Sequence, residues 1–270
     1  MLHITQWLNQ IAGITTTENR TIEVWNLNHQ QNPTVLAAWA KHFREHYCSD
    51  SIIDALRAGT GLSRKDYLEQ MIFPDPTTAP GPSIRAGDFG ELLVADYLEF
   101  TLGYWVPRTK MEGKAIRNES VKGCDIIGFK VVSENNTDSP NDELAIYESK
   151  ASLSSATEPN RLQTAVEHSA KDTLRKSEAL NFLKRRLIEK QDQMSQRVER
   201  FQNPVERPYL ETNGAVAILS SNIFNKMAAN LPNTIGNNHP NDKRLRLLVI
   251  HGNDLMPFVH ALYTRAANEA

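Results

Sequence analysis

Residues 123–150 read GCDIIGFKVVSENNTDSPNDELAIYESK. Two apolar runs flank a polar connection containing Pro140, which is the pattern of a β-hairpin. Alternate side chains on a strand share a face. Asp125, Ile127, Phe129 and Val131 therefore form one row, and Leu144, Ile146, Glu148 and Lys150 another, with Ser149 turned away. An antiparallel register that pairs Asp125 with Glu148 also pairs Val132 with Asn141 and leaves residues 133–140 as the loop. Two carboxylates and a lysine then meet at one end of an otherwise apolar face, an arrangement that is costly unless a cation or a partner neutralises it. A lone Glu-Ser-Lys usually marks a solvated strand end. The apolar run before it and the upstream Gly-x-Asp shift the reading to a site that holds Mg²⁺ and cuts a phosphodiester.

The segment GDFGELLVADYLEFTLG at 87–103 reads as an amphipathic helix, with Leu92, Leu93, Ala95, Tyr97, Leu98 and Leu102 inward. Glu91 falls in its first turns, where a carboxylate needs no function beyond complementing the helix dipole. Gly87 and Gly90 beside it permit close backbone approach, which favours a site. Lys110, Lys114, Arg117 and Lys122 lead into the Asp125 strand and are the candidates for DNA-backbone contact, giving affinity without sequence readout.

The order helix-Glu, strand, strand-Asp, strand-Glu-x-Lys, helix resembles the PD-(D/E)xK nuclease superfamily, through Glu91, Gly123-Cys124-Asp125 and Glu148-Ser149-Lys150. Cys124 stands where the superfamily often has proline. Over roughly residues 40–265, SIRAGDFGELLVADYLE, VPRTK, RNESVKGCDIIGF, YESKA and RLQTAVEHSAKD resemble the nuclease component of the Hachiman antiphage defence system. The resemblance implies a restriction-endonuclease-like mixed sheet flanked by helices. It implies a Mg²⁺-dependent deoxyribonuclease of little sequence specificity, with Mn²⁺ able to substitute, acting on DNA and held in check by a partner helicase. On this reading Asp125, Glu148 and the Ser149 backbone carbonyl hold the metal. Lys150 orients the attacking water, and Glu91 is the candidate for a second metal or its water shell. A site-specific restriction endonuclease, a junction resolvase and a non-catalytic binding module on the same fold stay open as alternatives.

Composition agrees with a globular enzyme. The chain has 270 residues, 40% hydrophobic and 23% charged, with a net charge of −2 that leaves room only for a local basic groove. Cys48 and Cys124 offer neither a disulfide framework nor zinc spacing, and Cys124 reads as a small residue packed behind the site. No apolar run reaches membrane length and no signal peptide is visible, so the expected location is cytoplasmic. There is no Walker loop, so the chain has no nucleotide cofactor of its own.

Residues 1–73 read as a mainly helical N-terminal region, a cap or a partner-docking element. In it TIEVWNL at 21–27 is a strand candidate. Asn32-Pro33 opens a helix bearing Val35, Leu36, Trp39, Phe43 and Tyr47. The Pro/Gly-rich segment 74–83 reads as a linker, and 84–270 as the nuclease core. His42 and His46 are i, i+4 on a predicted helix but lack the glutamate of a zinc protease, so they read as structural. Residues 158–200 are expected to be helical, with ten basic against six acidic residues over 161–200. Residues 214–221 and 244–252 are expected to be strands, and 254–268 a last helix. Strands interleaved with helices give an α/β sandwich around a mixed sheet.

Overall fold

The computed structural model describes residues 1–121, 123–132, 138–154 and 160–270. A short helix α1 (Leu2–Trp7) runs into strand β1 (Leu8–Thr15), and a hairpin returns the chain as β2 (Thr21–Leu27). Next come α2 (Pro33–Glu45), the short α3 (Ile53–Arg57) and α4 (Arg64–Tyr67), and α5 (Gly81–Phe100). The central hairpin is β3 (Ile126–Lys130) and β4 (Glu143–Ser152). After it lie α6 (Arg161–Glu189), α7 (Ser195–Arg200), β5 (Leu210–Ser220), α8 (Ser221–Met227), β6 (Leu245–Gly252) and α9 (Leu255–Asn268).

The six strands form one mixed sheet in the order β1-β2-β6-β5-β4-β3. β4, β5, β6 and β2 run parallel, and an antiparallel partner closes each edge. The hairpin adopts the register expected from its apolar rows, with Ile126 opposite Tyr147 and Lys130 opposite Glu143. Alternation then assigns each residue its side. Ala145, Tyr147, Val216, Ile218, Leu248 and Ile250 pack with α2, α5 and α9. Leu144, Ile146 and Phe129 pack against Leu180, Leu183 and Leu187 of α6, and Ala215, Ala217 and Leu247 against its Leu162 and Ala165. Helices thus cover both faces, as parallel strands require.

The N-terminal third differs from the expected helical region. The strand at 21–27 forms, but it enters the main sheet by pairing parallel with β6, and residues 8–15 add a further strand. Asn32 caps α2 by accepting from the Thr34 and Val35 amides at 3.1 and 3.2 Å. The α2 row Val35, Leu36, Trp39, Phe43 shares one core with α5 and α9. The boundary drawn at 74–83 therefore does not separate two cores. Phe73 is fully buried, Arg117 binds the Glu69 and Phe73 carbonyls and the Asp75 carboxylate, and α5 already begins at Gly81. No helix is long and apolar enough to cross a membrane among the described residues.

Gly214 lies opposite Tyr147 in the β4–β5 ladder, and a Cβ there would lie 2.2 Å from the buried Tyr147 ring. Overpacking of this kind costs about 1–3 kcal/mol. Gly214→Ala is expected to lower unfolding free energy by about that amount in urea titration; a stability equal to wild type would show that the ring is not packed over this glycine.

Candidate active site

The site forms where β3 begins and β4 ends, between α5 on one side of the sheet and α6 on the other. Gly123 has φ +117°, outside the range that side-chain-bearing residues favour, and the turn it makes delivers Cys124 and Asp125 to the start of β3. Asp125 sits one residue before the ladder, in line with the register that would pair it with Glu148. Its Oδ2 accepts from the Ser149 amide at 3.2 Å. The Ser149 atom placed on Asp125 is thus its N–H. Glu148 and Lys150 share a face and form an ion pair, with Glu148 buried and Lys150 about one-quarter exposed. The loop assigned to 133–140 overlaps residues 133–137, which lie outside the described residues, as does Lys122.

Glu91 is not in a first helical turn. Because α5 starts at Gly81, Glu91 lies nearly three turns in, beyond the reach of the terminal dipole. What holds it is Lys110, whose ammonium lies 2.7 Å from Glu91 Oε2 and 2.9 Å from Asp125 Oδ1. The route of Lys110 is readable in the backbone. Trp105 bridges Phe129 through two 2.8 Å hydrogen bonds, and the chain continuing antiparallel along β3 arrives at Asp125. Gly90 seats α5 on the sheet, a Cβ there meeting Ile218 at 3.2 Å, whereas Gly87 faces open space.

Three of the four predicted DNA-backbone cations, those within the described residues, are placed differently from a row along a groove. Lys110 bridges two site carboxylates. Lys114 is buried in an ion pair with Asp88, and Arg117 anchors the 69–75 segment. Arg175 of α6 also lines the open cleft beside Asp125. This cleft of about 740 Å³ is also lined by Lys110, Gly123, Cys124 and Phe182. Further along α6 the basic residues are largely paired, Lys176 with Glu211 and Lys184 with Glu199 at 2.5 and 2.7 Å.

Two α6 residues join the site beyond those read from sequence. His168 Nδ1 lies 3.5 Å from Glu148 Oε1. Asp172, one turn on, is buried beside Cys124, and its Oδ2 has no hydrogen-bond partner. Their i, i+4 spacing in VEHSAKD was the available signal, but which face of the helix meets the sheet end is a tertiary fact.

Electrostatics follow from burial of like charge. Burial and then Asp125 push Glu91 and Glu148 up to about 8, and the same two causes push Asp172 up to about 6. Burial also opposes ionisation of Asp125, but the Lys110 charge and hydrogen bond, then Lys150 and the Ser149 amide, outweigh it and hold that carboxyl below its usual range. Burial, aided by the Asp172 charge, drives the Cys124 thiol up to about 12, so it is an inert neighbour.

The oxygen donors suit a hard divalent cation. Lys110 already occupies a cation position between two of them. Glu91, Asp125 and Glu148 do not close into a set with all donor atoms within 4.8 Å of one another.

A family model for HamA matches residues 1–266, from the first helix to the last. A search of curated proteins finds no match to the chain. The matched span takes in the entire sheet and every side chain of the site, and the chain belongs to the HamA family, the HamA component of the Hachiman antiphage defence system.

Proposed function

We propose that this protein is a Mg²⁺-dependent deoxyribonuclease of the PD-(D/E)xK type, the effector of its defence system. The observation that carries this reading is the convergence of Asp125, Glu148 and Lys150 at one end of the sheet, with more buried carboxyl than the local lysines neutralise. Asp125 and Glu148 would hold the ion, with Mn²⁺ able to substitute, and Glu91 and Asp172 would receive its water shell. A divalent ion bound there polarises the phosphate and acidifies a water.

The chain's own groups do the rest. The Ser149 amide fixes the Asp125 carboxylate, and Glu148 aims the Lys150 ammonium at the open side of the site. From there Lys150 orients the attacking water and offsets charge growing on the phosphate oxygens. His168, partly exposed next to Glu148, borders the same opening. The cleft beside Asp125 offers a strand the Arg175 guanidinium for phosphate and the exposed Phe182 ring for a base. Neither contact reads sequence, in keeping with low specificity.

The helicase partner rests on the family resemblance and on a physical need, since an unrestrained deoxyribonuclease destroys its host's DNA. Co-purification with the neighbouring gene product should recover a stable complex; repeated failure to capture one would remove the partner from this proposal.

Glu148→Ala and Lys150→Ala are each expected to slow Mg²⁺-dependent cleavage of plasmid and linear DNA at least ~10²-fold, the lower end for positioned proton-transfer groups. Cleavage at wild-type rates by both variants would end the nuclease reading. The pH dependence of metal binding has a defined sign. Glu91 and Glu148 titrate near 8 in the metal-free fold, so below that pH an incoming ion must displace protons. Mg²⁺ affinity should rise with pH up to about 8, by about tenfold per unit for each proton displaced. Calorimetry in buffers of different ionisation enthalpy measures the proton release directly. Affinity flat between pH 6 and 8 would show that Glu148 does not ligate the ion.

A further inference from the structure

We infer that α2 and α5 carry a second, structural metal site for zinc, separate from the acidic site and built from His42, His46 and Asp96. One ligand atom from each lies within 4.8 Å of the others. His42 Nε2 is 2.8 Å from Asp96 Oδ1 and 3.1 Å from His46 Nε2. An imidazole Nε2 carries either one proton or one lone pair, so His42 cannot make two full hydrogen bonds there. Two ring nitrogens and a carboxylate oxygen crowded around one point are what a tetrahedral ion satisfies. With bonds of 2.0–2.1 Å, zinc ligand atoms stand about 3.3 Å apart, so the two edges at His42 need to open by only a few tenths of an ångström.

The protonation states also suit an ion. Burial, aided by Arg108 and His42, drives His46 down to about 3, leaving a neutral ring. Burial opposes ionisation of Asp96, but Arg108, His3 and His42 outweigh it and keep the carboxylate charged. His42 would hold its proton on Nδ1 and offer Nε2 to the ion. Two imidazoles exclude Mg²⁺ and favour a borderline transition metal. Arg108 contacts the same Asp96 oxygen at 2.7 Å and competes with an ion, yet it already has a second partner, Glu99, at 2.5 Å to which it can withdraw. His3 Nε2, 2.8 Å from the other Asp96 oxygen, holds that carboxylate from its far side. Asp96 lies five residues after Glu91 on α5, so an ion here staples the helix that presents Glu91 to α2.

The experiment titrates the full-length protein with Co²⁺ and Zn²⁺ in the absence of DNA. Wild type is expected to take one equivalent of Co²⁺ with tetrahedral visible absorption and to melt higher with zinc. Asp125→Asn/Glu148→Gln should retain both signals. His42→Ala/His46→Ala should lose them, with zinc affinity down by more than ~10²-fold, beyond the range for removal of a ligand's supporting group. Binding absent from wild type, kept by the histidine variant or abolished in the carboxylate variant would overturn the inference. If the histidine variant does not fold, Arg108→Gln decides: freeing Asp96 from its competitor must tighten zinc binding, and unchanged or weaker binding overturns the site. None of these readouts depends on DNA cleavage, so this inference and the nuclease proposal fail separately.

Discussion

A carboxylate buried beside other carboxylates stays ionised only if cations stand against it, and the rest of the site follows from that constraint at Asp125. Its charge is maintained by Lys110 from the loop after α5, by Lys150 from β4 and by the Ser149 amide. Ser149 and Lys150 come from β4 and Lys110 from a distant segment, so the site exists only once β3 has paired with β4 and Trp105 has bridged to Phe129. Glu91, Glu148 and Asp172 then bear the remaining repulsion as raised proton affinity, the condition in which a divalent cation gains most by entering.

The sheet explains why charge can be concentrated here without dissolving the core. From Leu144 to Tyr147 the β4 side chains are buried, and helices on both faces seal the strands. At the other end of that run, beside the start of β3, Glu148 and Lys150 of β4 meet Asp125. α5 is polar on two buried sides. Toward the sheet end it presents Glu91, and toward α2 it presents Asp96 within the histidine cluster. One helix thereby couples the N-terminal elements to the acidic site, which accounts for a single core running across the segment 74–83.

Strand alternation in ELAIYESKA and CDIIGFKVV was sufficient to obtain the hairpin register and the shared face of Glu148 and Lys150, because a period of two leaves no freedom once one face is apolar. The Asn32-Pro33 cap, the α2 apolar row and the last helix were equally local, set by capping and by periodicity. Residues 8–15 were not readable as a strand. Their side chains are mostly exposed at the sheet edge, and the pairing that makes them β-structure comes from residues 21–27 and, through those, from β6 at the far end of the chain.

Charge was the least local property. Lys110, Lys114 and Arg117 look alike in sequence, as basic residues in a loop before a strand. One bridges Glu91 and Asp125, one is buried against Asp88, and one ties down residues 69–75. Asp172, His168 and Arg175 sit in a helix whose composition suggests only a solvated face. The sequence by itself determined the central hairpin, the capped helix α2 and the last helix, and that Asp125, Glu148 and Lys150 share an end, since backbone periodicity and hydrogen-bond geometry act over a few residues. Which cation answers which carboxylate was decided only by the tertiary structure, because electrostatic partners are chosen by distance through space and by burial, and neither is encoded in spacing along the chain.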